Sequence, residues 1–175
     1  GLITIFWYNI IYTYSKRITA FAVVPGAVTG ALPPLIGWVA AGGGEWDSTI
    51  IFLEFLFFTG QIPHFWLLIL KYGDEYKKAG LPSLTEIFTP VQINRLTFIW
   101  TASTIIAAIF LCYFGVIING RIIVLLLLAS AYTIWKFSYL LRFQEDKINY
   151  NYYSRILYSY FLGVMFLLVF DRMII

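Results

Sequence analysis

The chain contains a single histidine, His64, set inside an apolar stretch. Imidazole can hydrogen-bond, shuttle a proton or ligate a metal, and an ionisable side chain inside a membrane-type segment is a functional candidate by default. Glu54, Gln61, Lys71 and Glu75 lie on the same stretch; the intervals 7, 3, 7 and 4 put all five residues on one face of a single helix. From His64 to Glu75 is eleven residues, about 16 Å along a helix. A ligand touching both is long, or two ligands meet between them. Pro63 frees a carbonyl near Thr59 and predicts a local kink that widens a cavity. The plainer role for His64 is an interhelical hydrogen bond, worth about 0.6 kcal/mol. Glu54 reads as a marker of the far membrane interface.

The stripe runs into a charged mouth: Lys71, Asp74, Glu75, Tyr76, Lys77 and Lys78. Carboxylates there can hold Mg²⁺, a hard cation that takes oxygen ligands and bridges to phosphates. Lysines there can neutralise a diphosphate leaving group. The alternative is a solvated loop with snorkelling lysines. Lys16-Arg17 falls on the same membrane face; adjacent bases at a helix end set topology, or this loop converges with 71–78 on one anion. No Gly-rich phosphate loop, HExxH, GxSxG, CxxC or heptad pattern occurs, so hydrolase, kinase and redox-thiol chemistry have no support. Cys112 has no intrachain partner and sits in an apolar run as a small hydrophobe.

The elements that must position these residues are membrane helices. Of 175 residues, 61% are hydrophobic and 12% charged, against about 45–50% and about 25% in a soluble domain. The apolar runs are continuous, which predicts an all-α polytopic transmembrane bundle of five to six segments rather than a β-barrel. Residues 2–14 are too short to span a bilayer and read as the end of a helix whose start lies outside the chain. Ser15-Lys16-Arg17 closes this segment as a basic loop. The second segment, Ala20 to Ala41, holds Gly26 and Gly30 four apart, a spacing that lets helices approach closely, and Pro33-Pro34, which predicts a kink or break. The third segment is Ser48 to Lys71. A polar connection follows from Tyr72 to Gln92, in which Ser83-Leu84-Thr85-Glu86 predicts a capped short helix. The fourth, fifth and last segments are Asn94 to Ile118, Arg121 to Leu141 and Tyr153 to Phe170, with polar residues 142–151 as a loop.

With connections alternating between faces, one face receives ten of the twelve basic residues, including Lys16, Arg17, Lys71, Lys77, Lys78, Arg95 and Arg142. The positive-inside rule makes that face cytoplasmic, or the matrix side in a mitochondrion. The basic residues are scattered between apolar runs, so no nucleic-acid partner is expected.

Three stretches in order carry a resemblance. The first is Tyr14-Ser15-Lys16-Arg17-Ile18-Thr19, followed by Pro25-Gly26-Ala27-Val28-Thr29-Gly30-Ala31-Leu32-Pro33-Pro34-Leu35-Ile36-Gly37-Trp38. The second is Pro63-His64-Phe65-Trp66. The third is Asp74-Glu75-Tyr76-Lys77-Lys78-Ala79-Gly80-Leu81-Pro82-Ser83-Leu84. Together they resemble the protoheme IX farnesyltransferases, or heme O synthases, of the UbiA-type intramembrane prenyltransferases. The resemblance covers residues 1–175 as the C-terminal part of one such domain.

The resemblance implies a transferase that moves a farnesyl group from farnesyl diphosphate to a vinyl group of heme B, giving heme O and diphosphate. It implies Mg²⁺ between two acidic motifs, with Glu75 and Asp74 as the ligands in this chain. Lys16, Arg17, Lys71 and Lys77 are implied as the residues that stabilise the leaving diphosphate, and His64 as the heme contact. The N-D-x-x-D-x-x-x-D motif of the family is absent from these 175 residues, so the piece alone is expected to be inactive. Glu75 stands where the family has aspartate. Partners implied are heme B, farnesyl diphosphate, the lipid bilayer, and heme A synthase or oxidase-assembly proteins; the site implied is a bacterial plasma membrane or a mitochondrial inner membrane. One alternative keeps the chemistry with a quinone precursor or other aromatic acceptor. Another is a transporter or complex subunit, which predicts sites near the midplane at broken helices, with Pro33-Pro34 as the candidate break.

Overall fold

A computed structural model describes residues 2–80, 82–142 and 148–174, with the side chain of Lys77 also outside the description. All regular structure among the described residues is helical. The chain opens with α1 (Leu2–Phe6), a π-helical stretch (Trp7–Tyr12) and α2 (Thr13–Ile18). A 3₁₀ turn (Ala20–Ala22) leads into α3 (Val23–Ala40). Then come α4 (Ser48–Lys78), the short α5 (Leu84–Ile87), α6 (Pro90–Tyr113), α7 (Gly120–Ser138) with a 3₁₀ end (Tyr139–Leu141), and α8 (Tyr150–Ile174). Among the described residues five helical stretches are long and apolar enough to cross a membrane: Ala20–Ala40, Ser48–Tyr76, Pro90–Tyr113, Gly120–Leu141 and Tyr150–Ile174. The predicted membrane bundle is therefore observed, and the chain is an integral membrane protein.

Helix α4 is the hub. It packs against α3, α6, α8 and α5. Its inward residues feed three apolar clusters: Leu56 beside Leu111, Leu126 and Val164; Ile62, Trp66 and Ile69 beside Val23, Ala27 and Ile93; and Leu67 beside Phe137, Leu140 and Leu157. Cys112 packs half-buried on the first of these, as the sequence suggested. Glycines set the closest approaches. A Cβ on Gly26 would lie 2.8 Å from the Tyr12 ring, one on Gly30 would lie 2.7 Å from the Gln61 amide, and one on Gly60 would overlap the Phe161 ring. The Gly26/Gly30 spacing thus seats α3 against both the first segment and α4. Trp7 Nε1 adds a 2.7 Å bond to the Pro25 carbonyl across the same contact.

Several expectations are corrected. Pro33 and Pro34 lie inside an unbroken α3; proline's fixed φ is itself helical, so each ring removes a donor without ending the helix. Pro63 likewise leaves α4 helical, and the break comes at Tyr72 (φ −117°, ψ 17°). Gly73 follows it, with room for Thr85 of α5: a Cβ there would sit 3.2 Å from Thr85 Cγ2. Beyond the break α4 continues to Lys78, so the acidic residues stand on helical turns rather than in a loop. Lys16 and Arg17 are also helical, in the last turn of α2, and Thr19 supplies the extended residue that ends it. Ser83 does cap α5, accepting from Thr85 N at 3.4 Å; the reciprocal capping box forms instead at Thr89 and Gln92, with Pro90 in the first turn of α6. Gly115, at φ +70°, ends α6 before the predicted Ile118. Within the predicted polar loop 142–151, residues 143–147 lie outside the description.

At the far face Asp171, fully buried, accepts from Ile118 N at 3.2 Å and Asn119 N at 2.9 Å, while Arg172 Nη2 donates to the Val116 carbonyl at 3.1 Å. The end of α8 thereby holds the α6–α7 turn, and Asn119 caps α7 through Arg121 N.

Candidate active site

Two cavities open along α4. The one within the membrane span has a volume of about 360 Å³ and lies between α4 and α8. Gln61 and His64 line it from α4, and Tyr158 from α8. The Tyr158 hydroxyl is 2.7 Å from His64 Nδ1 and 3.2 Å from Nε2. Apart from these three, every lining residue is apolar, among them Phe57, Phe161 and Met165. The residues recur at helical spacing on both sides: Phe57, Gln61 and His64 on one helix, Tyr158, Phe161, Leu162 and Met165 on the other. An apolar chamber with a few converging polar groups is the general form of a small-molecule site.

The second cavity, of about 180 Å³, lies at the C-terminal end of α4. Lys16, Tyr12 and Thr19 line it from the first segment and its turn, Tyr76 from α4, and Pro82 from the connection. Lys16 is half-buried there, its Nζ 5.8 Å from the centre of the Tyr12 ring. A cation in a partly dehydrated, aromatic-walled mouth attracts an anion more strongly than one in bulk water.

The predicted site residues divide accordingly. Lys16 lines the same cavity as Tyr76 of the 71–78 segment. Arg17 does not join it. As the next residue on a helix it points about 100° away, and it lines a separate groove with Asn9, Thr13 and Tyr14. Lys71 is exposed and lies over the Tyr72 ring, 4.3 Å from its centre. Asp74 and Glu75 are exposed, whereas Gly73 is buried and Tyr76 half-buried. Because the Tyr72 break falls between Lys71 and Glu75, the stripe of five does not continue as one face to its last member. The side chain of Lys77 lies outside the described residues. Among the described residues no three His, Cys, Asp or Glu side chains are grouped to hold a metal ion.

Sequence reading gave Tyr158 no place at a cavity, and it placed Tyr76 in the charged mouth without a role. No local signal could have found Tyr158, since 94 residues separate it from His64. Tyr76 stood among the charges, but its inward orientation depends on the helix continuing past Tyr72.

A bundle of apolar helices with an intramembrane chamber and a basic mouth at one end defines an intramembrane enzyme-like scaffold. The model of the UbiA prenyltransferase family matches residues 1–168, and the chain belongs to that family. It is 48% identical over 90 residues to the protoheme IX farnesyltransferase of Geobacter sulfurreducens, covering 51% of this chain and 32% of that protein. It is 38% identical over 123 residues to the enzyme of the same name from Oleidesulfovibrio alaskensis, covering 70% and 43%. With the one from Aquifex aeolicus the identity is 35% over 162 residues, covering 91% and 55%. The chain thus spans about half the length, or less, of these relatives. No solved structure matches it.

Proposed function

We propose that this chain is part of a protoheme IX farnesyltransferase, transferring a farnesyl group from farnesyl diphosphate to a vinyl group of heme B to give heme O and diphosphate. The observation that carries the reading is the pairing of cavities along α4: an apolar chamber holding His64 and, toward the helix end, a mouth holding Lys16. An allylic diphosphate has that polarity, a long apolar tail and a polyanionic head. The names of the similar proteins support the same acceptor.

In this reading the C–O bond of the allylic diphosphate breaks, its electrons leave with the diphosphate, the vinyl π electrons form the bond to the freed allylic carbon, and the cation left on the former vinyl group is captured by water, which then loses a proton. Lys16 and Lys71 stabilise charge growing on the leaving group. Lys77 belongs to the same role by its place in the sequence, and Arg17 adds its charge from the neighbouring groove. Asp74 and Glu75 would hold Mg²⁺: their oxygen donors suit it, and one or two carboxylates plus substrate phosphate suffice for that ion. Bound there, it would neutralise charge on the diphosphate. The apolar walls around Phe57 and Phe161 hold the isoprenoid chain against the acceptor, and His64 contacts or orients the heme. The basic face lies in the cytoplasm and the protein in a bacterial plasma membrane. Expression of the complete protein followed by mass analysis of membrane extracts tests the reading: heme O is expected. A prenylated quinone precursor in its place would establish the other acceptor class.

A further inference from the structure

We propose that Gln61 is a positioning residue for the water that captures the cation left on the former vinyl group. The inference rests on the reading of this site as one that transfers a farnesyl group to heme. That reaction needs one water in a chamber whose walls are mostly apolar, and a water stays in such a place only where polar groups anchor it. Three of the lining side chains are polar: Gln61, His64 and Tyr158. The Tyr158 hydroxyl already lies against the His64 imidazole, 2.7 Å and 3.2 Å from its two nitrogens. Gln61 is half-buried, and among the described residues its amide has no hydrogen-bond partner. An amide offers one acceptor oxygen and two N–H donors, and leaving them unmade in a partly dehydrated wall is costly.

The place of the amide suits the task. Gln61 packs over Gly30 of α3, where a Cβ would sit 2.7 Å from its Nε2 and 2.8 Å from its Cδ, so the missing side chain leaves the room it occupies. Phe65, one turn further along α4, lines the basic mouth, while Gln61 lines the chamber. Residues four apart share a face and stand about 6 Å apart along the axis. An allylic carbon next to a diphosphate in the mouth therefore meets an acceptor in the chamber near this level. His64 is three residues on, its Cβ about 5–6 Å from that of Gln61, which puts a heme held at His64 alongside the amide. Once the vinyl π electrons have made the new carbon–carbon bond, the cation lies on the carbon next to the pyrrole ring. The water donates one O–H to the Gln61 amide oxygen, and its lone pair forms the C–O bond. The proton then passes to solvent, leaving a hydroxyl group. The hydrogen bond to the amide strengthens as the water becomes positive, so it acts chiefly in the transition state. Without an anchored water the same cation loses a proton from the neighbouring carbon and gives an alkene, lighter by one water.

The test uses the complete protein in lipid nanodiscs with heme B, farnesyl diphosphate and Mg²⁺, compared as wild type, Gln61→Met and Gln61→Glu. The readout is the ratio of hydroxylated to alkene product in the porphyrin fraction, separated by mass. Wild type is expected to give the hydroxylated product. Q61M, which keeps the length of the side chain and removes the amide, is expected to lower the ratio by about tenfold. Q61E, which keeps an oxygen acceptor, is expected to recover most of it. A merely structural role lowers total turnover and leaves the ratio where it was, so an unchanged ratio in Q61M overturns the proposal. Loss of all prenylated heme in both variants overturns it too, since a positioned water acts only after the carbon–carbon bond has formed. Wild type that prenylates no heme overturns the underlying reading of the site, and the proposal with it.

Discussion

Lys16 and Arg17 are adjacent, yet they face different surroundings. Lys16 is half-buried at the mouth beside Tyr76, while Arg17 is exposed on another groove. A hydrogen bond to a charged group contributes about 1.5–3 kcal/mol, so Lys16→Ala in the complete protein is expected to lower the rate of heme O formation by roughly 10- to 100-fold. Arg17→Ala acts only at longer range and is expected to lower it less. Rates measured in parallel check this; equal losses would mean the two charges act on one anion together. Gly60 makes a second residue-scale case, because any side chain there meets the Phe161 ring. Gly60→Ala is expected to destabilise the protein by about 1–3 kcal/mol through overpacking, read as a lower unfolding temperature in detergent. An unchanged midpoint would contradict the α4–α8 contact. At this scale sequence reading singled out His64, because an ionisable residue among apolar ones declares itself, and the structure sets it in a cavity wall. It could not find Tyr158, whose place beside His64 exists only once α8 lies against α4.

Among the elements, α4 explains most of the arrangement. With 31 residues it is about 46 Å long, well beyond a hydrocarbon core of about 30 Å. One helix therefore carries His64 within the membrane and Asp74 and Glu75 beyond it. The sequence made the apolar part legible, since its hydrophobic run can only be a span. The continuation past Tyr72 was illegible, because a polar run with a glycine reads as loop until α5 is seen packing on Gly73. Pro33-Pro34 shows the opposite error: proline signals a break, but α3 tolerates both. The unbroken α3 also removes the broken helix on which the transporter alternative relied. The far end depends on Asp171. Removing its carboxylate leaves the Ile118 and Asn119 amides unpaired in a buried setting, at about 1–3 kcal/mol. Asp171→Ala is expected to speed hydrogen exchange at residues 116–121 without altering exchange at the Lys16 end. Unchanged protection of the α6–α7 turn would show that Asp171 does not hold it.

For the whole molecule, the five spans among the described residues and the one-sided distribution of basic residues underlie the proposed orientation, basic face to the cytoplasm. Cysteines introduced at Lys78 and at Gly44, in a background lacking Cys112, are expected to react with a membrane-impermeant thiol reagent from opposite sides, Lys78 from the cytoplasm and Gly44 from outside. Labelling of both from one side would contradict the α3–α4 hairpin, and reversed labelling would overturn the orientation. The same one-sidedness separates the two ends of the proposed reaction: the diphosphate stays at the basic face while the isoprenoid tail and the acceptor lie among apolar helices. The central claim is prenyl transfer to heme. Its most direct measurement is the product formed when the purified complete protein is given heme B, farnesyl diphosphate and Mg²⁺ and the porphyrin fraction is analysed by mass. Farnesylated heme with release of diphosphate is the predicted result; heme B recovered unchanged from protein that prenylates an aromatic quinone precursor under the same conditions would contradict it.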